Sequence, residues 1–330
     1  MSDRLQLMVR WLNGLGYYNY TLTSASEDAS FRSYHRLQQG VNSWIVMDAP
    51  PDKEPCDRFI EIAMKLRQAG LSAPEVIDQN LELGFLLLTD LGETPYLSAL
   101  NVDSKVSLYV DALDALLQMQ VKVSSHCFPE YNRELLNQEM DLFHDWFLGD
   151  LLGIQLNELQ QKQWISVKQA LIQNALEQPQ LFVHRDYHSR NLMKIETNNP
   201  GIIDFQDAVC GPITYDLVSI LRDCYIDWPI DEVESLALDY YHAAKAQALV
   251  DVEPQQFLSW FNLMGIQRHL KAVGIFSRLK IRDGKRGYLN DIPRTLNYLF
   301  QVSELEPSMA GFSDLMAELN LSERIKAMIE

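Results

Sequence analysis

The sequence predicts an α+β chain in which a small antiparallel sheet comes first and a larger, mostly helical part follows. Three observations predict it. Residues 20–24, 31–37 and 42–47 read as short strands joined by tight turns, an antiparallel meander. From about residue 96 the apolar positions fall at helical spacing. Within that helical part lies one strand, loop, strand, turn, strand stretch, 181–204, rich in His, Asp and Asn. The expected division is 1–95 for the sheet region and 96–330 for the helical region, with a hinge near 88–95.

Taken in order, residues 3–13 carry an apolar stripe (Leu5, Leu7, Met8, Trp11, Leu12), and Gly14 and Gly16 end the helix. After the three strands, Pro50 and Pro51 close the meander. Residues 55–69 place Phe59, Ile62, Ala63 and Leu66 at a 3.6 period before Gly70. Residues 74–78 and an apolar run around 83–89 read as two further strands. Helices are then expected at 104–121, 132–152, 157–176, 214–225, 231–248 and 254–280, with a last helical pair ending at Glu330.

Composition is that of a globular chain: 47% hydrophobic, 22% charged, without a low-complexity tract. Lys and Arg number 28 against 45 Asp and Glu, a net charge of −17. That balance argues against nucleic acid or an anionic membrane as partner. Asp3, Arg4 and Arg10 interrupt any signal-peptide core, and the longest apolar runs, such as 85–88, are far short of a membrane span. Cys56, Cys127, Cys210 and Cys224 have no Cys-x-x-Cys spacing, so they are expected as reduced thiols of a cytoplasmic protein.

The chemistry concentrates in 181–207. His184-Arg-Asp186 is followed after four residues by Asn191, and twelve residues later by Asp204-Phe205. This order matches the kinase signature, in which a carboxylate orients and deprotonates the attacking hydroxyl. An amide oxygen and a second carboxylate hold Mg²⁺ on the phosphates of ATP. Asp186 is the candidate base, Asn191 and Asp204 the candidate metal ligands, and His184 a brace of the loop. Singly, each such Asp is an ordinary turn former; the conjunction carries the reading.

With these residues assembled, the chain resembles the aminoglycoside phosphotransferase-like kinases, small-molecule enzymes of the bilobal protein-kinase-like fold. The matching pieces are His184 to Asn191, Ile203-Asp204-Phe205 and Tyr215-Asp216-Leu217. The resemblance implies that Asp186 is the base, that Asn191 and Asp204 bind Mg²⁺, and that Asp216 is a structural aspartate near the catalytic loop. Only nine residues lie between Asp204 and Thr214, and no Ala-Pro-Glu follows, which favours a small acceptor over a peptide. More narrowly, Asp28 to Tyr34, Val46 to Pro51, Asp204 to Ala208, Gly211 to Leu217 and Leu221 to Tyr225 resemble the bacterial anomeric N-acetylmuramate/N-acetylglucosamine kinases of cell-wall recycling. That resemblance implies an amino-sugar acceptor phosphorylated at its C1 hydroxyl. Other acceptors (an aminoglycoside, a choline-like compound, an amino alcohol) and a non-catalytic nucleotide-binding scaffold stay open, as do the preferred sugar, the reacting anomer and the oligomeric state.

For ATP, the expected contacts are Ser30 and Arg32 beside the glycine-free turn at 24–30, and the hinge residues Thr89, Asp90 and Leu91. Met47 and Asp48 stand where a kinase strand carries its phosphate-binding lysine, so another cation must serve; Arg32 is the candidate, with Arg36 and Lys53 nearby. For the acceptor, Arg222, Asp223 and Tyr225 supply the bidentate and aromatic groups that bind sugars, with Asp207 a secondary candidate. A second cluster, Gln267, Arg268, His269 and Lys271, lies on a helix, where 267 and 271 share a face.

Overall fold

The computed structural model describes residues 3–26 and 31–329. In chain order the elements are α1 (Asp3–Gly14), β1 (Thr21–Ser26), β2 (Ser33–Gln39), β3 (Asn42–Asp48), α2 (Asp57–Gln68), β4 (Val76–Asn80), β5 (Phe85–Thr89), α3 (Tyr96–Ala99), α4 (Lys105–Lys122) and α5 (Arg133–Leu142). They continue with α6 (Glu158–Glu177), β6 (Gln180–Val183), β7 (Leu192–Met193), β8 (Gly201–Ile202), β9 (Val209–Pro212), α7 (Thr214–Leu221), α8 (Ile230–Ala246) and α9 (Pro254–Asp283). The last are α10 (Ile292–Leu305), α11 (Ala310–Leu319) and α12 (Leu321–Ile329).

The chain divides into two compact units, Met1–Ser104 with Asn191–Gln206, and Lys105–Arg190 with Asp207–Glu330. A boundary at residue 95 leaves 191–206 with the helices. The structure instead ties that hairpin to the sheet unit by bridges from Gly201 to Ser72 and from Met193 to Pro95.

The first unit is a five-stranded antiparallel sheet in the order β1-β2-β3-β5-β4. Alternation along the strands gives each face its own residues. Leu37, Val46, Phe85 and Leu87 form one buried cluster with Met8 and Leu12 of α1. Met47, Leu86 and Leu88, one position out of phase, are also buried. The predicted stripe of α2 is buried as well, and Phe59 packs on Phe205 with ring centroids 4.9 Å apart.

In the second unit α9 is the central element, 30 residues long. It starts with Pro at its first turn and ends at Gly284 in the left-handed conformation (φ 70°), the expected punctuation of a helix. It packs against α5, α6, α7, α8 and α10. At Gly274 the crossing is so close that a Cβ would lie 2.4 Å from the backbone of Leu142, so only glycine fits. Two expectations are corrected here. The single helix expected over 132–152 is α5 followed by a π-helical segment, Phe143–Leu151. The last helical pair is three α-helices, α10 to α12, because Glu306, with Pro307 after it, and the left-handed Asn320 each interrupt the chain.

Candidate active site

In the first unit, Asn191 opens the β7–β8 hairpin and Asp204 follows its second strand. Nδ2 of Asn191 donates to Oδ2 of Asp204 (3.1 Å), and Nε2 of Gln206 donates to Oδ1 of the same carboxylate (2.6 Å). With Nδ2 turned to Asp204, Oδ1 is the atom of the Asn191 amide that could hold a metal. Asp204 holds φ at 64°, a backbone strain of about 1–3 kcal/mol that recurs at functional sites. Among the described residues no three His, Cys, Asp or Glu side chains are gathered as a metal cage. The donors here are hard oxygens, one amide and one carboxylate. This set fits Mg²⁺, which keeps water and takes phosphate oxygens as further ligands.

The rest of the expected ATP set is more committed than the sequence implied. Ser30 lies outside the described residues, as does most of the turn around it. Arg32 is ion-paired to Glu54 at 2.6 Å. Arg36 donates to both oxygens of Asp90 (2.7 and 3.0 Å), to Glu93 and to the carbonyl of Gly92. The Asp90 carboxylate therefore braces the segment after β5; burial pushes it up, and bonds from Arg36 and Gly92 pull it below its ordinary value. Thr89 is joined to Glu75 through both its amide and its hydroxyl. Asp48, at the lysine position of a kinase strand, receives Nε of Arg4 at 2.8 Å.

In the second unit, β6 leads into the loop that carries His184 and Asp186. Both oxygens of Asp216, at the start of α7, accept backbone amides of that loop, from His184 (2.6 Å) and Arg185 (3.0 Å). Arg185 takes φ 77°, and these bonds help hold it there. Asp216 is fully buried, and burial raises its carboxyl to about 7. The imidazole of His184 is also buried and accepts the amide of Asp186 (3.3 Å). Its place is under the loop.

Asp186 opens onto a pocket lined by His188, Tyr215, Cys224, Tyr225 and, from α9, Arg268, Lys271, Ala272, Ile275 and Phe276. Burial alone would raise the Asp186 carboxyl; the charges of Lys271, His188, Arg268 and Arg185 more than offset it and hold the group below its ordinary value. It is thus ionised at neutral pH, as a base must be. Glu139 of α5, which the sequence did not single out, ties the surroundings together. It accepts from Arg185, from Tyr131 and from Gln267 (3.3 Å), and it pairs with Lys271 at 3.3 Å. Lys271 in turn donates to the Tyr215 hydroxyl (2.9 Å).

The four expected acceptor residues separate. Tyr225 lines the pocket, with the guanidinium of Arg190 stacked 3.6 Å over its ring. Asp223 accepts the amides of Ser189 (2.8 Å) and Tyr225 (3.0 Å), so it shapes the loop. Arg222 is corrected: it is buried at 1% exposure, bonded to Asn262 (2.7 Å) over the Phe261 ring, and is not among the lining residues. Asp207 is exposed and does not line the pocket either. Arg268 and Lys271, the second cluster, do. The signal that could have ranked them higher is their spacing with 272, 275 and 276, one stripe of a helix.

The pattern of the phosphotransferase enzyme family matches residues 21–254. The chain belongs to that family. Relatives of this phosphotransferase include a protein of Pseudomonas putida named N-acetylmuramate/N-acetylglucosamine kinase, 44% identical over 305 residues that cover 92% of this chain and 90% of the relative. One of Pseudomonas aeruginosa with the same name is 43% identical, covering 90% and 88%. Among solved structures, the choline kinase LicA from Streptococcus pneumoniae superposes with a TM-score of 0.63 at 12% identity, covering 90% of this chain and 99% of that one. The ADP-bound aminoglycoside phosphotransferase APH(2'')-Ib gives 0.58 at 15% identity, covering 89% and 97%. These two likenesses are of fold, and the α+β, protein-kinase-like architecture expected from the sequence is the one observed. Among the described residues, no helix is long and apolar enough to cross a membrane.

Proposed function

We propose that this phosphotransferase is an ATP-dependent sugar kinase that phosphorylates the anomeric hydroxyl of N-acetylmuramate, N-acetylglucosamine or both, in bacterial cell-wall recycling. The observation that carries the reading is Asp186, an ionised carboxylate lining a pocket with an aromatic wall and two cationic side chains. The names of the relatives, at 43–44% identity, supply the acceptor class. Asp186 accepts the proton of the C1 hydroxyl as its oxygen attacks phosphorus. A hemiacetal hydroxyl is more acidic than an ordinary alcohol, so a carboxylate suffices late in a loose transition state. Asp216 holds the loop that presents Asp186, and Tyr225 gives the sugar pocket an aromatic wall. Mg²⁺ bound to the Asn191 amide oxygen and the Asp204 carboxylate would neutralise charge on the phosphates. Thr89, Asp90 and Leu91 contribute backbone groups toward the adenine. Arg32 serves the phosphates by exchanging Glu54 for them. Four free thiols accord with a cytoplasmic location.

The test is ADP release with Mg·ATP and each sugar or none, with ³¹P NMR of the product. Sugar-dependent turnover and an anomeric phosphate resonance are expected. Turnover with an aminoglycoside or choline instead, or none at all, would overturn the acceptor assignment while leaving the family intact.

A further inference from the structure

The buried cations of the second unit are not equivalent. Arg185 and Lys271 both pair with Glu139. Arg268, only 6% exposed, makes no ion pair among the described residues, and its one hydrogen bond is a long one, 3.7 Å, to the thiol of Cys224. Yet it stays charged: burial pulls its guanidinium down, while Cys224, Tyr215, Asp186 and Asp223 more than restore it. Those groups act on it through space rather than as a paired contact, so the N–H fork of Arg268 can still take a carboxylate that a ligand brings. The same stripe of α9 places Ala272, Ile275 and Phe276, all apolar, in the pocket with Arg268, which suits an anion carried on a partly apolar substituent. In a chain of net charge −17, two cations in one pocket beside a single catalytic carboxylate are a local reversal of sign.

We infer that Arg268 is a specificity residue that takes the carboxylate of a carboxylate-bearing amino sugar, with Lys271 contributing charge at the same end of the pocket. This rests on the sugar-kinase reading above. A planar guanidinium binds a carboxylate through two parallel N–H···O bonds, so Arg268 favours an acidic sugar over its neutral analogue. The other anion that reaches Asp186 is the phosphoryl group in transfer, which every acceptor shares; the two sources are therefore separable by acceptor.

The experiment measures kcat and KM for N-acetylmuramate, its methyl ester and N-acetylglucosamine, in the wild type, Arg268→Gln and Arg268→Lys. In the wild type, the methyl ester is expected to lose roughly 10- to 100-fold in kcat/KM relative to the free acid, mostly through KM. Arg268→Gln should abolish the difference between acid and ester, and Arg268→Lys should restore part of it. An equal fall for all three acceptors in Arg268→Gln, with a raised KM for ATP, would assign the residue to the phosphoryl group and overturn the inference. So would a wild type that treats acid and ester alike, a comparison that needs no variant to fold. If the wild type phosphorylates neither sugar, the acceptor reading itself fails and takes this inference with it.

Discussion

Asn191 and Asp204 lie thirteen residues apart on one short hairpin, while the pocket at Asp186 is lined from four separate segments between residues 186 and 276. The hairpin pair needs only a two-residue ladder and a turn to form, so its chemistry is written in contiguous sequence. The pocket exists only after α7 and α9 have packed, and its charges are balanced by Glu139, more than a hundred residues from Lys271. A site of the first kind loses function when a ligand atom is removed. One of the second kind also loses stability, because each of its charges is held by a partner far along the chain.

Substitutions sharpen that contrast. The largest effect is expected from Asp186→Asn, which removes the proposed base: kcat should fall roughly 10³-fold while the affinity for Mg·ATP, followed by fluorescence titration, stays. Near-normal turnover would end its assignment as base. Next, Glu139→Gln leaves Arg185 and Lys271 buried without their anion, a loss on the order of 3 kcal/mol of folding stability, read from the urea midpoint. An unchanged midpoint would make the long-range pairing unimportant. On the hairpin, Gln206→Ala removes a donor to Asp204 and should raise the Mg²⁺ requirement roughly 10- to 100-fold with little change in the midpoint. A large midpoint change without a metal effect would erase the distinction between the two regions.

The last effect is a pH dependence. Asp216 is raised from its ordinary 3.8 to about 7, so the folded protein keeps a proton that the unfolded chain has already released. Its contribution to stability is thus fully present below about pH 4 and is lost as pH rises through 7. The urea midpoint of the wild type relative to Asp216→Asn should decline over that interval; a difference independent of pH would show that the two loop amides keep Asp216 ionised throughout.

How much of this was legible in the sequence follows the same division. The meander, the α1 and α2 stripes and the 184–204 motif rest on spacing within a dozen or so residues, and spacing is what a sequence displays. Arg222 and Arg268 show the limit. Arg222 follows the last turn of α7 and Arg268 lies within α9 of the same unit, and side-chain type recommended the first. Packing buried Arg222 against Asn262 and Phe261 and left Arg268 lining the pocket. The π-helical segment after α5 was invisible for a related reason. Its residues are helix-compatible, and nothing in their spacing announces the change of hydrogen-bond register.

The contact at Gly274 has a further consequence. With glycine at its crossing with Leu142, α9 sits too close to that backbone to move further toward it. Positions 268, 272, 275 and 276 therefore behave as pegs on a fixed bar, while Lys271, tied to Glu139 and Tyr215, is part of what anchors it. Redirecting the enzyme to other sugars is then a matter of swapping pegs.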